Sequence, residues 1–249
     1  MIGLAAGFLS GFFGVGGGTL IVPALVLILN FDQRRAAGTS LAAIIPTAIV
    51  GVVSYLQHGS VAWLAGIVLI AGAVVGAWIG TWLLSRLSPE LLRWIFIAFL
   101  VVVIIELFVV VPDRNAEVEV TILSGLLLLV LGLVTGILSG LIGVGGGVVI
   151  VPAMTVFFGA SDLVAKGTSL LVMIPTTVTG TVGNVRRRNV DLPVAGIIGL
   201  FAVPMTFLGV AAAVATPPQV ASILFALYLS FIAGQMVYKA LKARKPKDS

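Results

Sequence analysis

A stretch of 55 residues, Gly7 to Val61, recurs 129 positions later as Gly136 to Val190 without a gap, and 24 of the aligned pairs are identical. The identities gather in GVGGG, IVPA, GTSL and IPT. Such a chain is two copies of one structural unit, so a site that lies between the copies is built from each motif twice.

Of the 249 residues, 60% are hydrophobic and 9% charged, too little polar surface to coat a soluble globule of this size. The chain therefore reads as an integral membrane protein. Its apolar runs of about 18 to 25 residues suit helices across hydrocarbon rather than the short alternating strands of a barrel, and the fold class is all-α. Two copies of a membrane-embedded unit make a transporter the leading reading. The net charge of +5 does not indicate a nucleic-acid partner. The basic residues sit at segment ends and in a tail, Lys239, Lys242, Arg244, Lys245 and Lys247, where they act as topology signals. Without cysteine the chain has no thiol nucleophile, disulfide or thiolate metal ligand. No basic segment precedes the first apolar run, which continues directly into the repeat, so a cleavable signal peptide is not expected. About fifteen apolar residues precede Gly136 but only six residues precede Gly7, so the sequence is expected to begin short.

Helices are expected over 38–56, 62–84, 94–111, 167–185, 193–214 and 219–238, with loops near 31–36, 57–60, 85–93, 112–119, 159–166, 185–191 and 215–219. Each repeat opens with an apolar element broken by GVGGG, 2–30 in one and 121–158 in the other. This divides the chain into a first repeat, 1–112 (core 7–61), an external linker, 113–120, a second repeat, 121–240 (core 136–190), and a basic cytoplasmic tail, 241–249. If the repeats are inverted, Lys and Arg fall 12 inside and 2 outside; if they are parallel, 9 and 5. The bias of basic loops toward the cytoplasm favours inversion. The 121–158 element must then leave from and return to one face as a re-entrant hairpin. Its second arm, Gly147 to Gly159, spans only about 20 Å at 1.5 Å per residue.

Irregular backbone at membrane depth is tolerated only where protein or a water-filled cavity satisfies it, so each glycine tip should face something polar. Gly14, Gly16, Gly17 and Gly18, with Gly143, Gly145, Gly146 and Gly147, lead into helix N-termini whose free amides suit an anion. Thr39, Ser40 and Thr47, with Thr168, Ser169 and Thr176, add hydroxyls beside Pro46 and Pro175, and Ser10, Ser139 and Asn184 extend that lining. The competing reading is that these side chains bond back to their own helices or glue neighbouring ones. Gly7 with Gly11, Gly136 with Gly140, and Gly72, Gly76 and Gly80 read as small-residue packing seams. No Lys or Arg falls deep within an expected span. Lys166 is placed at the outer mouth and Arg34 and Arg35 at the inner one, with solvated loop charge as the plainer reading. Glu106 is the acidic residue of an apolar helix and the candidate for proton coupling. His58 reads as a loop residue, and Trp63, Trp82 and Trp94 as interfacial anchors.

The duplicated Gly11-Phe12-Phe13-Gly14-Val15-Gly16-Gly17-Gly18 with Val22-Pro23, and Gly140-Leu141-Ile142-Gly143-Val144-Gly145-Gly146-Gly147 with Val151-Pro152, together with the paired GTS and PT motifs, resemble the sulfite exporter TauE/SafE family, also called the toluene sulfonate uptake permease group. The resemblance covers nearly the whole chain. It departs at Gly59-Ser60-Val61-Ala62, where the second copy has the more family-like Arg188-Asn189-Val190-Asp191. It implies a bacterial or archaeal plasma-membrane protein of about eight helices that moves sulfite, sulfonates or related small organic anions. The combined reading is a secondary transporter of two inverted repeats, its anion held near the midplane and one repeat rocking against the other. Its partners would be a small anionic substrate and the lipid bilayer, with a homo-oligomer compatible with the pattern and no cofactor or metal required. An anion channel and a non-transporting assembly subunit are the alternatives. No clustered carboxylates, His pair or nucleophile–base set supports a membrane enzyme.

Overall fold

In hydrocarbon the backbone has no water to bond, so apolar segments fold as helices that satisfy their own amides. The computed structural model describes residues 1–84 and 120–244, with isolated positions between 86 and 105, and among these residues there is no strand. A broken pair, α1 (Ile2–Phe13) and α2 (Gly18–Ile28), precedes α3 (Gln33–Leu56) and α4 (Trp63–Leu83). A second broken pair, α5 (Ile122–Ile142) and α6 (Gly147–Phe158), precedes α7 (Asp162–Arg186), α8 (Leu192–Ala215) and α9 (Pro218–Arg244). Among the described residues six helices are long and apolar enough to cross a membrane: α3, α4, α5, α7, α8 and the Pro218–Gln235 part of α9. The helix expected over 94–111 lies largely outside the described residues, and Glu106 wholly so.

α3 and α7 begin earlier than the apolar pattern places them. The Asp32 carboxylate accepts hydrogen bonds from the Arg34 and Arg35 amides at 2.9 and 3.0 Å, and the Ser161 hydroxyl accepts one from the Val164 amide at 3.3 Å. Asp32 and Ser161 occupy the same repeat position, so two different capping residues start equivalent helices. Most of the expected loops at 31–36 and 159–166 is thereby absorbed into helix. Lys166, expected at an exposed mouth, instead lies one turn inside α7 and is 3% exposed. At the other end of the chain, α9 runs past Tyr238 to Arg244, as the good helix formers Lys239, Ala240, Leu241 and Lys242 allow.

Each repeat packs mainly on the other. α1 runs alongside α8, with Gly3, Gly7 and Gly11 against Ile198, Ala202 and Thr206, and α5 runs alongside α4, with Gly132, Gly136 and Gly140 against Leu69, Ala73 and Ala77. The offset of 129 residues turns the first set into the second. The same offset relates α3 on α8 to α7 on α4. A contact between i and j that recurs between their mates is the mark of a two-fold relation. α3 and α7 touch each other antiparallel, Gly51 meeting Leu170 and Gly180 meeting Leu41. Two spatial halves result, α1, α2, α3 and α8 against α4, α5, α6 and α7, each mixing elements of both repeats.

The seams between exchanged helices have no room for a methyl group. A Cβ on Gly7 would lie 2.7 Å from Ala202 Cα, and one on Gly136 would lie 2.8 Å from the Ala73 carbonyl carbon. Lipid solvates leucine as well as a neighbouring helix does, so such close backbone approach is what holds helices together. Gly7→Ala and Gly136→Ala should each destabilise the protein by about 1–3 kcal/mol, the usual range for overpacking. Gly196→Ala, at a position with nothing within 4 Å, should melt like the parent protein in a detergent thermal-unfolding assay.

Candidate functional site

Both glycine tips close in the same way. Gly14 (φ 70°) ends α1 and donates its amide to the Ser10 carbonyl at 2.9 Å, while Gly143 (φ 80°) ends α5 and donates to the Ser139 carbonyl at 2.8 Å. Gly16 and Gly17, with Gly145 and Gly146, continue at φ between 71° and 89°, a left-handed run that glycine alone adopts without strain. Gly17 and Gly146 then cap α2 and α6. Gly18 and Gly147 have ordinary backbone and are required for space. A Cβ on Gly18 would lie 2.7 Å from Val144 Cα, and one on Gly147 would lie 2.6 Å from Val15 Cα. The two tips abut across the two-fold. Met173 and its mate Ile44 close over Gly16 and Gly145, so these glycines face apolar side chains in this conformation.

The hydroxyls singled out in the sequence separate by hydrogen-bond partner. Thr47 and Thr176 donate to the Ile44 and Val172 carbonyls of their own helices. Thr39 accepts from the Asp191 amide at 3.0 Å and its mate Thr168 from the Ala62 amide at 2.9 Å, so this pair pins the start of α8 to α3 and of α4 to α7. Ser169 donates to the Gly14 carbonyl at 3.0 Å, tying α7 to the first tip. Ser10, Ser40 and Ser139 are buried and their hydroxyls find no partner among the described residues. Asn184 donates to the Gly180 carbonyl, leaving its own side-chain oxygen buried and unbonded. Ser10 and Ser139 are repeat mates, each at the base of its tip.

Lys166 is buried against the first tip, one turn from the start of α7. A Cβ on Gly14 would sit 2.7 Å from Lys166 Cα, so the side chain starts against the first tip, and its ammonium pairs with Asp162 at 3.2 Å. The ammonium also lies 5.8 Å from the centre of the Phe12 ring. Both charges are buried, where either alone would be costly and mutual pairing offsets much of the desolvation. The mates of Asp162 and Lys166 are Gln33 and Ala37, so the pair belongs to one copy alone. Hydropathy hid it because a single lysine next to GTS looks like a loop end. Tyr55, not anticipated as a site residue, stands at the mate position of Asn184 and donates to the Gly11 carbonyl at 2.7 Å. His58 sits beyond α3, its Nδ1 2.9 Å from the Ser54 carbonyl oxygen, as a loop residue.

At the end of the bundle where α3 begins, Asp191 accepts from the Val194 amide at 3.1 Å and from Arg35 Nη2 at 2.6 Å. The Val194 amide first, and then Arg35, hold its carboxyl below the usual carboxylate range. Arg35 also lies over the Phe31 ring at 4.5 Å. In the first copy Ala62 stands at this position and caps nothing, which gives the sequence departure there a structural meaning.

Broken helix pairs wrapped by membrane-length helices define a multi-pass helical membrane protein. The profile described as Sulfite exporter TauE/SafE matches residues 1–107 and 128–249, and the chain belongs to that family. It is 30% identical to the probable membrane transporter protein YdhB of Bacillus subtilis over 74% of this chain and 77% of that one. It is 26% identical to YunE of the same organism over 77% and 78% of the two chains. It is likewise 26% identical to the probable membrane transporter protein MJ0441 of Methanocaldococcus jannaschii, over 84% and 83%. No solved structure matches it significantly.

The Asp191 contacts carry a pH dependence of known sign. A carboxyl whose folded pKa is lowered contributes stability above its unfolded value, near 3.9, and loses it as pH falls through the lower folded value. The melting temperature should therefore fall between about pH 5 and pH 3 more steeply for the parent protein than for Asp191→Asn, which keeps a capping side chain but cannot titrate.

Proposed function

We propose that this protein is a secondary transporter of a small anion, its two repeats inverted in the bacterial or archaeal plasma membrane with the C-terminus cytoplasmic. The observation that carries the reading is the meeting of two glycine tips, each flanked by a buried, unpartnered serine, on a two-fold across the helices. Inversion is supported independently by the charge bias of 12 against 2 and by the antiparallel contact of the mates α3 and α7. The anion is engaged by the Ser10, Ser40 and Ser139 hydroxyls and by Lys166, which adds a buried cation to the amides and hydroxyls. Asn184 lies toward the other end of α7, beside Gly38, and Thr39, Thr47, Thr168 and Thr176 serve the scaffold. The family suggests sulfite, a sulfonate or a related sulfur or organic anion.

The moving bodies follow from the exchanged packing. Rocking one sequence repeat against the other would tear the α1–α8 and α4–α5 seams, which have no slack. Motion between the two spatial halves leaves those seams whole. It parts the tip contacts instead, where Gly14 meets Ser169 and Lys166 of the other half. A continuous pore is the weaker reading, because the abutting tips close the centre in this conformation.

Purified protein in liposomes should show saturable uptake of labelled sulfite, thiosulfate or a small sulfonate, with counterflow against unlabelled substrate. Ser10→Ala and Ser139→Ala should each weaken apparent affinity roughly 10- to 100-fold, the value of a hydrogen bond to a charged group. Lys166→Gln should do likewise, while Thr176→Val should transport as the parent does. Linear flux without counterflow would replace the carrier with a channel, and unchanged serine variants would remove the site but leave the carrier standing.

A further inference from the structure

The two-fold also exposes a place where the copies differ at the bundle's edge. Between α4 and α7, which run side by side in the same direction, a groove of about 290 Å³ opens where both helices end. Its wall is apolar, with Val182 and Trp78, the latter 68% exposed. Its end is polar, with Thr81, Arg186 and Arg187. Gly183 forms the floor: a Cβ there would lie 2.9 Å from Thr81 Oγ1, which donates to the Trp78 carbonyl at 3.0 Å, and 3.4 Å from Arg187 Nη1. Arg187 spends one nitrogen on the Gly183 carbonyl at 3.0 Å, which fixes the guanidinium beside the groove and leaves its other donors. Neither Arg186 nor Arg187 is in an ion pair among the described residues. Just beyond α4, Arg86 stacks on Trp82 at 4.2 Å, adding a third cation at the same end.

The equivalent place in the other half supplies an internal control. There the mates of Thr81, Arg186 and Arg187 are Val210, Gln57 and His58. The fold thus forms the same helix pairing without this chemistry. Topology alone explains arginines at a helix end, but not a glycine floor to which one guanidinium is fixed beside an exposed tryptophan.

We infer that this α4–α7 groove binds the phosphate of an anionic phospholipid, with Arg186 and Arg187 on the headgroup and the acyl chains along Trp78 and Val182. Basic pockets between membrane helices at headgroup level suit this ligand, since the guanidinium matches phosphate and the adjoining wall matches hydrocarbon. The full-length protein in nanodiscs should melt higher in phosphatidylglycerol than in phosphatidylcholine, and phosphatidylglycerol should remain bound in native mass spectrometry. At about fivefold per arginine, Arg186→Gln with Arg187→Gln should bind phosphatidylglycerol roughly thirtyfold more weakly while melting like the parent in phosphatidylcholine. His58→Gln, in the mate groove, should leave lipid binding unchanged. Equal stability in both lipids, or full retention of phosphatidylglycerol by the double variant, overturns the site. Inorganic phosphate reproducing the shift in phosphatidylcholine overturns the lipid in favour of a free anion. None of these outcomes depends on transport, so the lipid site and the anion carrier stand or fall separately.

Discussion

Close approach of backbone to backbone is the constraint on which this structure rests. Burying leucine against leucine gains little when lipid offers the same surroundings, so helices associate where glycine and alanine let their main chains meet. The α1–α8 and α4–α5 seams do this along much of their length, and they join an element of one repeat to an element of the other. That exchange interlocks the copies. It also fixes where α1 and α5 end, and so brings their glycine tips together on the two-fold, where Gly18 and Gly147 touch the backbone of the opposite valines. Seam and tip are one device at two distances from the centre.

Beside the duplicated tips and serines, several polar positions have diverged between the copies. Scaffold positions keep their jobs: Thr39 and Thr168 each hold an amide of the other repeat, and Asp32 and Ser161 each cap a helix despite differing in type. By contrast, Asp162 and Lys166 face Gln33 and Ala37 across the two-fold, Asn184 faces Tyr55, and Arg186 and Arg187 face Gln57 and His58. None of these substitutions is needed to preserve packing, since the other copy packs without it. The buried ion pair is the sharpest case. Placing two charges in a membrane-spanning helix is costly even when they are paired.

Much of this was legible in the chain. GVGGG marks the breaks because three of its glycines occupy left-handed backbone, and the small-residue spacings mark the seams because only they permit contact so close. Hydropathy places α4 and α8 to within a residue at each end. It fails at α3 and α7 because a helix begins at its cap and not at its first apolar residue, and that turn is what carries Lys166 indoors. A small-residue seam states that something comes close but not which helix, so the exchange of partners between copies could not be read. The hydroxyls were also undecidable in sequence. Thr176 and Ser139 sit in similar surroundings, and whether a side chain bonds its own preceding turn or points away is settled by rotamer and neighbours.

In the proposed inverted arrangement, a two-fold across the helices makes the two ends of the molecule geometrically interchangeable. If the halves part so that one end opens, the same relation applied to the chain describes a second state with the other end open, built from the mates of the same contacts. In a carrier of the proposed kind the first state releases Gly14 from Ser169 and Lys166, and the second releases Gly143 from the helix that bears Ala37. Perfect duplication would make these two openings equal in energy. The Ser169 bond to Gly14 crosses between the halves on one side alone, its mate Ser40 making no such bond, so in a carrier of the proposed kind that side is the harder to open.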